Sequence, residues 1–287
     1  TGQATCRAAI PLETLRQMLG QRARYVLVTG HISSPSPTEP RIDNTEVLAM
    51  DTPHQPSWQL LPRQWVAPRA LDAFDRLRSL LSRLNPGPVR SFAHLLFVSQ
   101  TVAEPFLSIP ASRHHHHADP GGLLIHSVEC AEVAENMSRH FLDDHERDLA
   151  IIGALLHDIA KIRILAGHDH PGQPIYGVSQ EALNLEVLSP FLKKLDSDWP
   201  AGGANLREIL APAQHTGTKG GPSPLLLTDL IRYIDRLSSG ADIRKQRFLG
   251  TPDWQRCAKT EQGTLIKRVV PAASNGSTHS PQIAGGT

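Results

Sequence analysis

The run Gly153-Ala154-Leu155-Leu156-His157-Asp158-Ile159-Ala160-Lys161 sets an imidazole beside a carboxylate in a stretch otherwise apolar enough to be core. An unpartnered carboxylate in such a place costs several kcal/mol, so something must compensate for it. A divalent cation fits, because neutral imidazole and ionised carboxylate are its common ligands. His-Asp pairs also arise by chance in a chain with fifteen histidines, and His168-Asp169 is a second one. The apolar context singles out the first.

Two further side chains share that context. On a helix starting near Gly122, Glu129, Glu132, Asn136 and Arg139 recur at the spacing of a solvated face. His126 heads the opposite row with Cys130, Val133 and Met137, which points it inward. Asp235 lies among apolar residues in Leu230-Ile231-Arg232-Tyr233-Ile234-Asp235-Arg236-Leu237. Alone, His126 reads as a core histidine bonded to the backbone, and Asp235 as the partner of Arg232 or Arg236. Together with His157 and Asp158 they supply four hard or borderline ligands from three helices, and a bundle core is a usual place to assemble such a site. Without a thiolate, the set suits Mn, Fe, Mg or Zn. A cation there would lower the pKa of bound water and favour attack on phosphorus, with Asp158 orienting the water. Lys161 is placed either to neutralise phosphate or, as an ordinary helix-end lysine, to complement the macrodipole.

The elements that must position these residues follow from periodicity. Residues 1–66 read as a small mixed α/β unit, with an amphipathic helix over 11–19 and strands at Tyr25–Gly30, Glu46–Met50 and Trp58–Leu61. Helical spacing takes over near Ala67, and helices are predicted over about 89–108, 121–142, 147–165, 178–196, 204–214 and 223–245. The expected architecture is mainly α, a helical bundle over 67–249 with a β-containing subdomain before it. A basic, largely disordered tail is expected over 250–287.

Composition narrows the function classes. Hydrophobic content of 40% and a formal charge of +1 describe an ordinary globular protein with no global field that demands a polyanion. Cys6, Cys130 and Cys257 are too few and too dispersed for a disulfide framework or a zinc-thiolate site, which implies a reducing, cytoplasmic setting. No apolar run approaches the ~20 residues that cross a bilayer. The opening Thr1-Gly2-Gln3 lacks an initiator Met, as expected of a trimmed chain or a piece of a longer one. There is no Gly-x-Ser-x-Gly elbow and no phosphate loop of the Gly-x-x-x-x-Gly-Lys kind. Arg244, Lys245, Arg247, Arg256, Lys259, Lys267 and Arg268 make the C-terminal third basic, either a surface that tracks phosphates or a plain solvated face.

In order and spacing, His126, His157, Asp158 and Asp235 resemble the four metal ligands of the HD-domain metal-dependent phosphohydrolase superfamily. The resemblance extends to Pro110-Ala111-Ser112, His115-His116-His117, Pro120-Gly121-Gly122-Leu123 and Gln214-His215-Thr216-Gly217. These look like two branches: the histidine-triplet relaxases of conjugative elements (the MobH class) and the HD-type 3′-to-5′ exoribonucleases. The resemblance implies an HD-type helical fold and one divalent-metal site. It implies a nucleic acid or nucleotide substrate, with partner proteins of a mobile element in the relaxase case. His115, His116 and His117 would contact substrate phosphate, and His215 would be an extra ligand or phosphate contact. Binuclear members carry a further histidine where this chain reads Tyr176-Gly177-Val178-Ser179-Gln180. His168 and His170 either substitute for it from a loop or are exposed loop residues, which leaves a second metal open. The readings carried forward are a phosphodiesterase acting on DNA or RNA, a nucleotide or small-phosphoester hydrolase, and a non-catalytic metal-binding regulatory module.

Overall fold

The computed structural model describes residues 7–8, 25–33, 41–50, 56–112, 117–165, 178–212, 223–260 and 263–269. The expected helix over 11–19 lies outside them, as do His115, His116, His168, His170 and His215. Chain contacts form two compact units, residues 1–238 and 239–287. The described chain is mainly helical, as the periodicity predicts.

In the first unit, strands β1 (Arg7–Ala8), β2 (Tyr25–Ser33) and β3 (Arg41–Met50) form a sheet in the order β1-β3-β2. The β2–β3 pair is antiparallel and runs from Tyr25 opposite Met50 to Ser33 opposite Arg41, with a register shift between Thr29 and His31. The third expected strand is absent. Ser57–Gln59 is instead a turn of 3-10 helix between Pro56 and Pro62, with Trp58 fully buried. Trp58 stacks on His94 with ring centroids 4.5 Å apart, and its Nε1 donates to Ser82 Oγ at 3.1 Å. An indole seated this way serves the helical core, where a third strand would have to point alternate residues to opposite faces.

The bundle starts with α1 (Leu71–Ser82), whose Phe74, Leu77, Leu80 and Leu81 are fully buried at helical spacing. The single helix expected over 89–108 is two, α2 (Pro88–Val98) and α3 (Gln100–Ser108). Ser99 takes an extended conformation between them, and the reversal brings Phe97 edge-on to Phe106 with centroids 6.0 Å apart. No Gly or Pro marks this break; tertiary packing makes it.

Helices α4 (Gly122–Ser138) and α5 (Asp144–Leu156) form the principal antiparallel pair. Asp143 starts α5 with a reciprocal cap, its carboxylate accepting from the His145 and Glu146 N–H groups while the Glu146 side chain accepts from its own. The expected inward row on α4 holds at His126 and Cys130 but fails at Val133 and Met137, each about two-fifths exposed. Ala131, Ala134, Glu135 and Ser138 are the buried residues of that half, small enough for close helix approach, with Glu135 satisfied by Arg83 and Arg139. Next come the short α6 (Lys161–Ile164), then α7 (Gln180–Asp198), α8 (Pro200–Leu210) and the long α9 (Leu226–Phe248).

The second unit takes in the C-terminal part of α9 from Ser239. Part of the segment expected to lack regular structure is a hairpin here. Strand β4 (Cys257–Lys259) pairs antiparallel with β5 (Leu265–Lys267), and Gly263 turns between them at φ +79°. The Arg268 guanidinium lies over the Phe248 ring, 4.9 Å from its centroid, and donates from Nε to the Gln255 carbonyl.

Candidate metal centre

Three elements converge on one point, buried at His126 and Asp158 and about half-exposed at Asp235. The first is the start of α4. Gly121 has a left-handed φ of +77°, and a Cβ on Gly122 would come 2.0 Å from the His117 carbonyl oxygen. These glycines let the chain turn tightly against residues 108–111 and His117, where Gly121 N donates to Ser108 O and Leu123 N to Ile109 O. One helical turn further on, His126 is fully buried.

The second is the turn after α5. A Cβ on Gly153 would lie 2.7 Å from Ile209 Cγ2 and 2.8 Å from Ile231 Cδ1, so the glycine permits the close approach of α8 and α9. The helix expected to run through 165 stops at Leu156. His157–Ala160 form a turn with i-to-i+3 bonds from Ile159 N to Leu156 O and from Lys161 N to Asp158 O. Asn184 on α7, itself buried, holds this turn by its main chain. Its Oδ1 accepts from Ala160 N at 2.8 Å and its Nδ2 donates to His157 O at 2.7 Å.

The third is α9, which brings Asp235 and Ser238 to the same side, three residues apart. His126 Nε2 then lies 3.3 Å from His157 Nε2, 3.5 Å from Asp158 Oδ2 and 3.4 Å from Asp235 Oδ1. His157 Nε2 lies 3.5 Å from Asp158 Oδ2 and 3.7 Å from Asp235 Oδ1. Donors about 2.1 Å from a shared cation sit roughly 3.0–3.4 Å from one another, so the quartet is close to that geometry before any adjustment. Among the candidate salt-bridge cations for Asp235, Arg232 reaches Asp229 and Arg236 lies over the Tyr233 ring.

Protons and charges point the same way. His157 Nδ1 lies 2.7 Å from the Ala154 carbonyl, which can only accept, so Nδ1 carries a hydrogen and Nε2 is the nitrogen available to the cluster. Ser238 Oγ sits 3.3 Å from His126 Nδ1, and as a hydroxyl that can donate or accept it holds the ring in either tautomer. With both imidazoles neutral, the quartet carries two negative charges, and the Lys161 ammonium bonds to Asp158 Oδ2. Burial disfavours the His157 cation, yet the Asp158 and Asp235 charges outweigh it and raise the pKa. Burial likewise works against the Asp158 anion, but His157, Lys161 and His126 hold its carboxyl below the usual range. His126 and His157, which donate to Asp235 from Nε2 when protonated, hold its carboxyl far below that range. Two ionised carboxylates and an imidazole that recruits a proton mark a place built for positive charge. The donor set fits a divalent cation.

Cys130 offers a competing donor set, because His126, Cys130 and His157 also lie within metal-holding distance of one another. Its sulfur is 4.0 Å from His126 Nδ1 and 3.9 Å from Nε2, nearly equidistant, so it rests against the ring rather than along either nitrogen's lone pair. Burial pushes its thiol up to about 12. A protonated thiol that touches the imidazole face packs there, and the two carboxylates are the better partners for a hard cation.

Around the quartet, the structure places three further groups. Lys161 pairs with Asp158 Oδ2, a contact that neither reading of its spacing included. His117, the described member of the histidine run, has a left-handed φ of 53°, and its ring centroid is 5.8 Å from that of His126. Its Nε2 is 3.4 Å from Glu129 Oε2, and this contact holds the Glu129 carboxyl below its ordinary pKa. Glu129, expected on the solvated face, is thus partly buried by its partner. Sequence reasoning missed Gln180, whose Nε2 donates to Asp158 Oδ1 at 2.6 Å, as well as Asn184 and Ser238. None of the three carries a signal of its own in the sequence.

Comparison with known proteins agrees with this geometry. Residues 123–238, which include all four side chains, match the family model described as HD domain. The chain is also similar to the 3′-5′ exoribonuclease YhaM of Bacillus velezensis, 25% identical over 161 residues, a region that covers 54% of this chain. It spans about half of that relative's length, 49%. No solved structure matches. The family match supports a likeness to HD domains over that segment, and the four-residue cluster lies within it. No helix among the described residues is long and apolar enough to cross a membrane.

Proposed function

We propose that this chain is a metal-dependent phosphohydrolase, a phosphodiesterase that cleaves DNA or RNA, with one divalent cation held by His126, His157, Asp158 and Asp235. The observation that carries the reading is the approach of two imidazole Nε2 atoms to 3.3 Å with two carboxylate oxygens 3.4–3.7 Å away. A cation there supplies a lowered pKa for water and a counter-charge for phosphate. The residues do the remainder. Asp158 Oδ2 accepts a hydrogen bond from the attacking water and fixes its direction, and the Lys161 ammonium neutralises a non-bridging phosphate oxygen. His117, steadied by Glu129, donates to a flanking phosphate; His115 and His116 would extend that contact, and His215 would be an extra ligand or phosphate contact. His168 and His170 are not assigned a role in this reading.

The finer assignment is relaxase-like, in a mobile-element system with DNA as substrate and partner proteins of that system. It rests on Pro110-Ala111-Ser112, the histidine run and Gly121-Gly122, whose tight turn brings His117 toward His126. Residues 67–249 would carry the chemistry, 1–66 an appended unit and 250–287 a basic extension. A cytoplasmic location accords with the free thiols Cys130 and Cys257.

The test offers labelled single-stranded DNA, single-stranded RNA, duplex DNA and a mononucleotide to chain purified without chelator or nickel resin, with Mn, Fe, Mg or Zn. The expected result is cleavage of a polynucleotide that chelator abolishes and salt weakens steeply. Cleavage of the mononucleotide alone would make it a small-phosphoester hydrolase. Metal binding with no phosphoester cleaved would make it a regulatory module.

A further inference from the structure

We propose that Gln180 is a positioning residue that presents Asp158 to the cluster through a single oxygen and so restricts the site to one cation. The inference rests on the reading that His126, His157, Asp158 and Asp235 hold a divalent cation, and it concerns how many cations they admit.

A carboxylate can bind one cation through one oxygen or span two through both, and its rotation about the Cβ–Cγ bond decides which oxygen faces where. Asp158 has little of that freedom. Gln180 Nε2 donates to Oδ1 at 2.6 Å, and an ionised carboxylate only accepts, so the amide nitrogen is the end that faces it. Oδ2 faces both imidazoles at 3.5 Å and also receives the Lys161 ammonium. A second cation at Oδ1 would have to displace the Gln180 amide, and near Oδ2 it would meet the charge of Lys161.

The hold is built into the helix. Gln180 is the first residue of α7, after the Ser179 cap, and Asn184 lies one turn further on the same face. Among the described residues, Asn184 grips the main chain of the 157–160 turn while Gln180 grips the Asp158 side chain. The two functions are therefore separable: loss of Gln180 leaves the turn held and frees one carboxylate.

The experiment is calorimetric titration of the full chain, stripped with chelator and dialysed, with MnCl2. Wild type is expected to bind one Mn ion per chain. Gln180→Ala is expected to bind it about 10–100-fold more weakly, the usual effect of losing a partner that orients a ligand, with the melting temperature of the metal-free chain unchanged. Gln180→Glu, nearly isosteric, sets a second carboxylate against Oδ1 and is expected to raise the stoichiometry to two. Wild type that binds two Mn ions, through His168, His170 or His215 for example, overturns the proposal. So does an unchanged affinity in Gln180→Ala. Wild type that binds no Mn overturns this proposal together with the metal reading beneath it; binding that is merely insensitive to Gln180 overturns this one alone.

Discussion

Asn184→Ala should be among the most damaging single polar substitutions in this protein, though Asn184 touches neither an imidazole ring nor a carboxylate of the cluster. The side chain is 1% exposed and satisfies two main-chain groups of the His157–Ala160 turn, Ala160 N at 2.8 Å and His157 O at 2.7 Å. A third contact, Nδ2 to Leu210 O at 3.4 Å, is too long to add much. Truncation strands a buried donor and a partly buried acceptor. Each orphaned group costs about 1–3 kcal/mol, so the total is about 4 kcal/mol. For a chain of this size that is a fall in melting temperature of about 10 °C. Asn184→Asp is the informative companion: it keeps an oxygen for Ala160 N but turns a carboxylate oxygen toward the His157 carbonyl, and should be no more stable than the alanine variant. Thermal and urea unfolding by circular dichroism, in chelator so that metal adds nothing by mass action, measures both. Asn184→Ala within about 0.5 kcal/mol of wild type would mean that the turn holds itself.

Two further outcomes follow from the site. The raised pKa of His157 means that its proton stabilises the metal-free fold below the ordinary imidazole value and that this contribution is lost as pH rises through the raised one. A cation must displace that proton, while Asp158 and Asp235, both lowered, stay ionised. Mn affinity should therefore weaken about tenfold per pH unit below the His157 pKa and level off above it, as calorimetry across about pH 6–9 will show; a flat profile contradicts the assignment. Cys130→Ala should keep Mn affinity within about twofold of wild type, because the sulfur packs on the His126 ring; a loss of about 100-fold would put the thiolate in the ligand set.

Much of this site is legible in the sequence because burial makes charged residues conspicuous. Asp158 and His126 stand in apolar surroundings that only a partner can justify, and helix periodicity places His126 on an inward face. Gly153 and Gly121-Gly122 announce close approach, and each sits where an added Cβ would collide. Other features leave no such mark. Gln180 and Asn184 are unremarkable polar residues at the start of a helix, and only the docking of α7 on the 157–160 turn gives them a role. Ser99 carries no breaker signal, since the reversal there is made by Phe97 against Phe106. Trp58-Gln59-Leu60-Leu61 has strand-like composition, but its tryptophan is more stable stacked on His94 inside the helical core than in a sheet. Val133 and Met137 show the limit of periodicity on α4: it gives the inward face near His126, but not how far along the helix a neighbour covers it.

The central claim is that one cation sits among four side chains brought together from α4, the turn after α5, and α9. Anomalous diffraction at the manganese edge, from crystals of the full chain grown with MnCl2, tests it most directly. The account predicts a single peak about 2.0–2.3 Å from His126 Nε2, His157 Nε2, Asp158 Oδ2 and Asp235 Oδ1. A peak bound to Cys130 Sγ in place of the carboxylates, or no peak within reach of the two imidazoles, would contradict it.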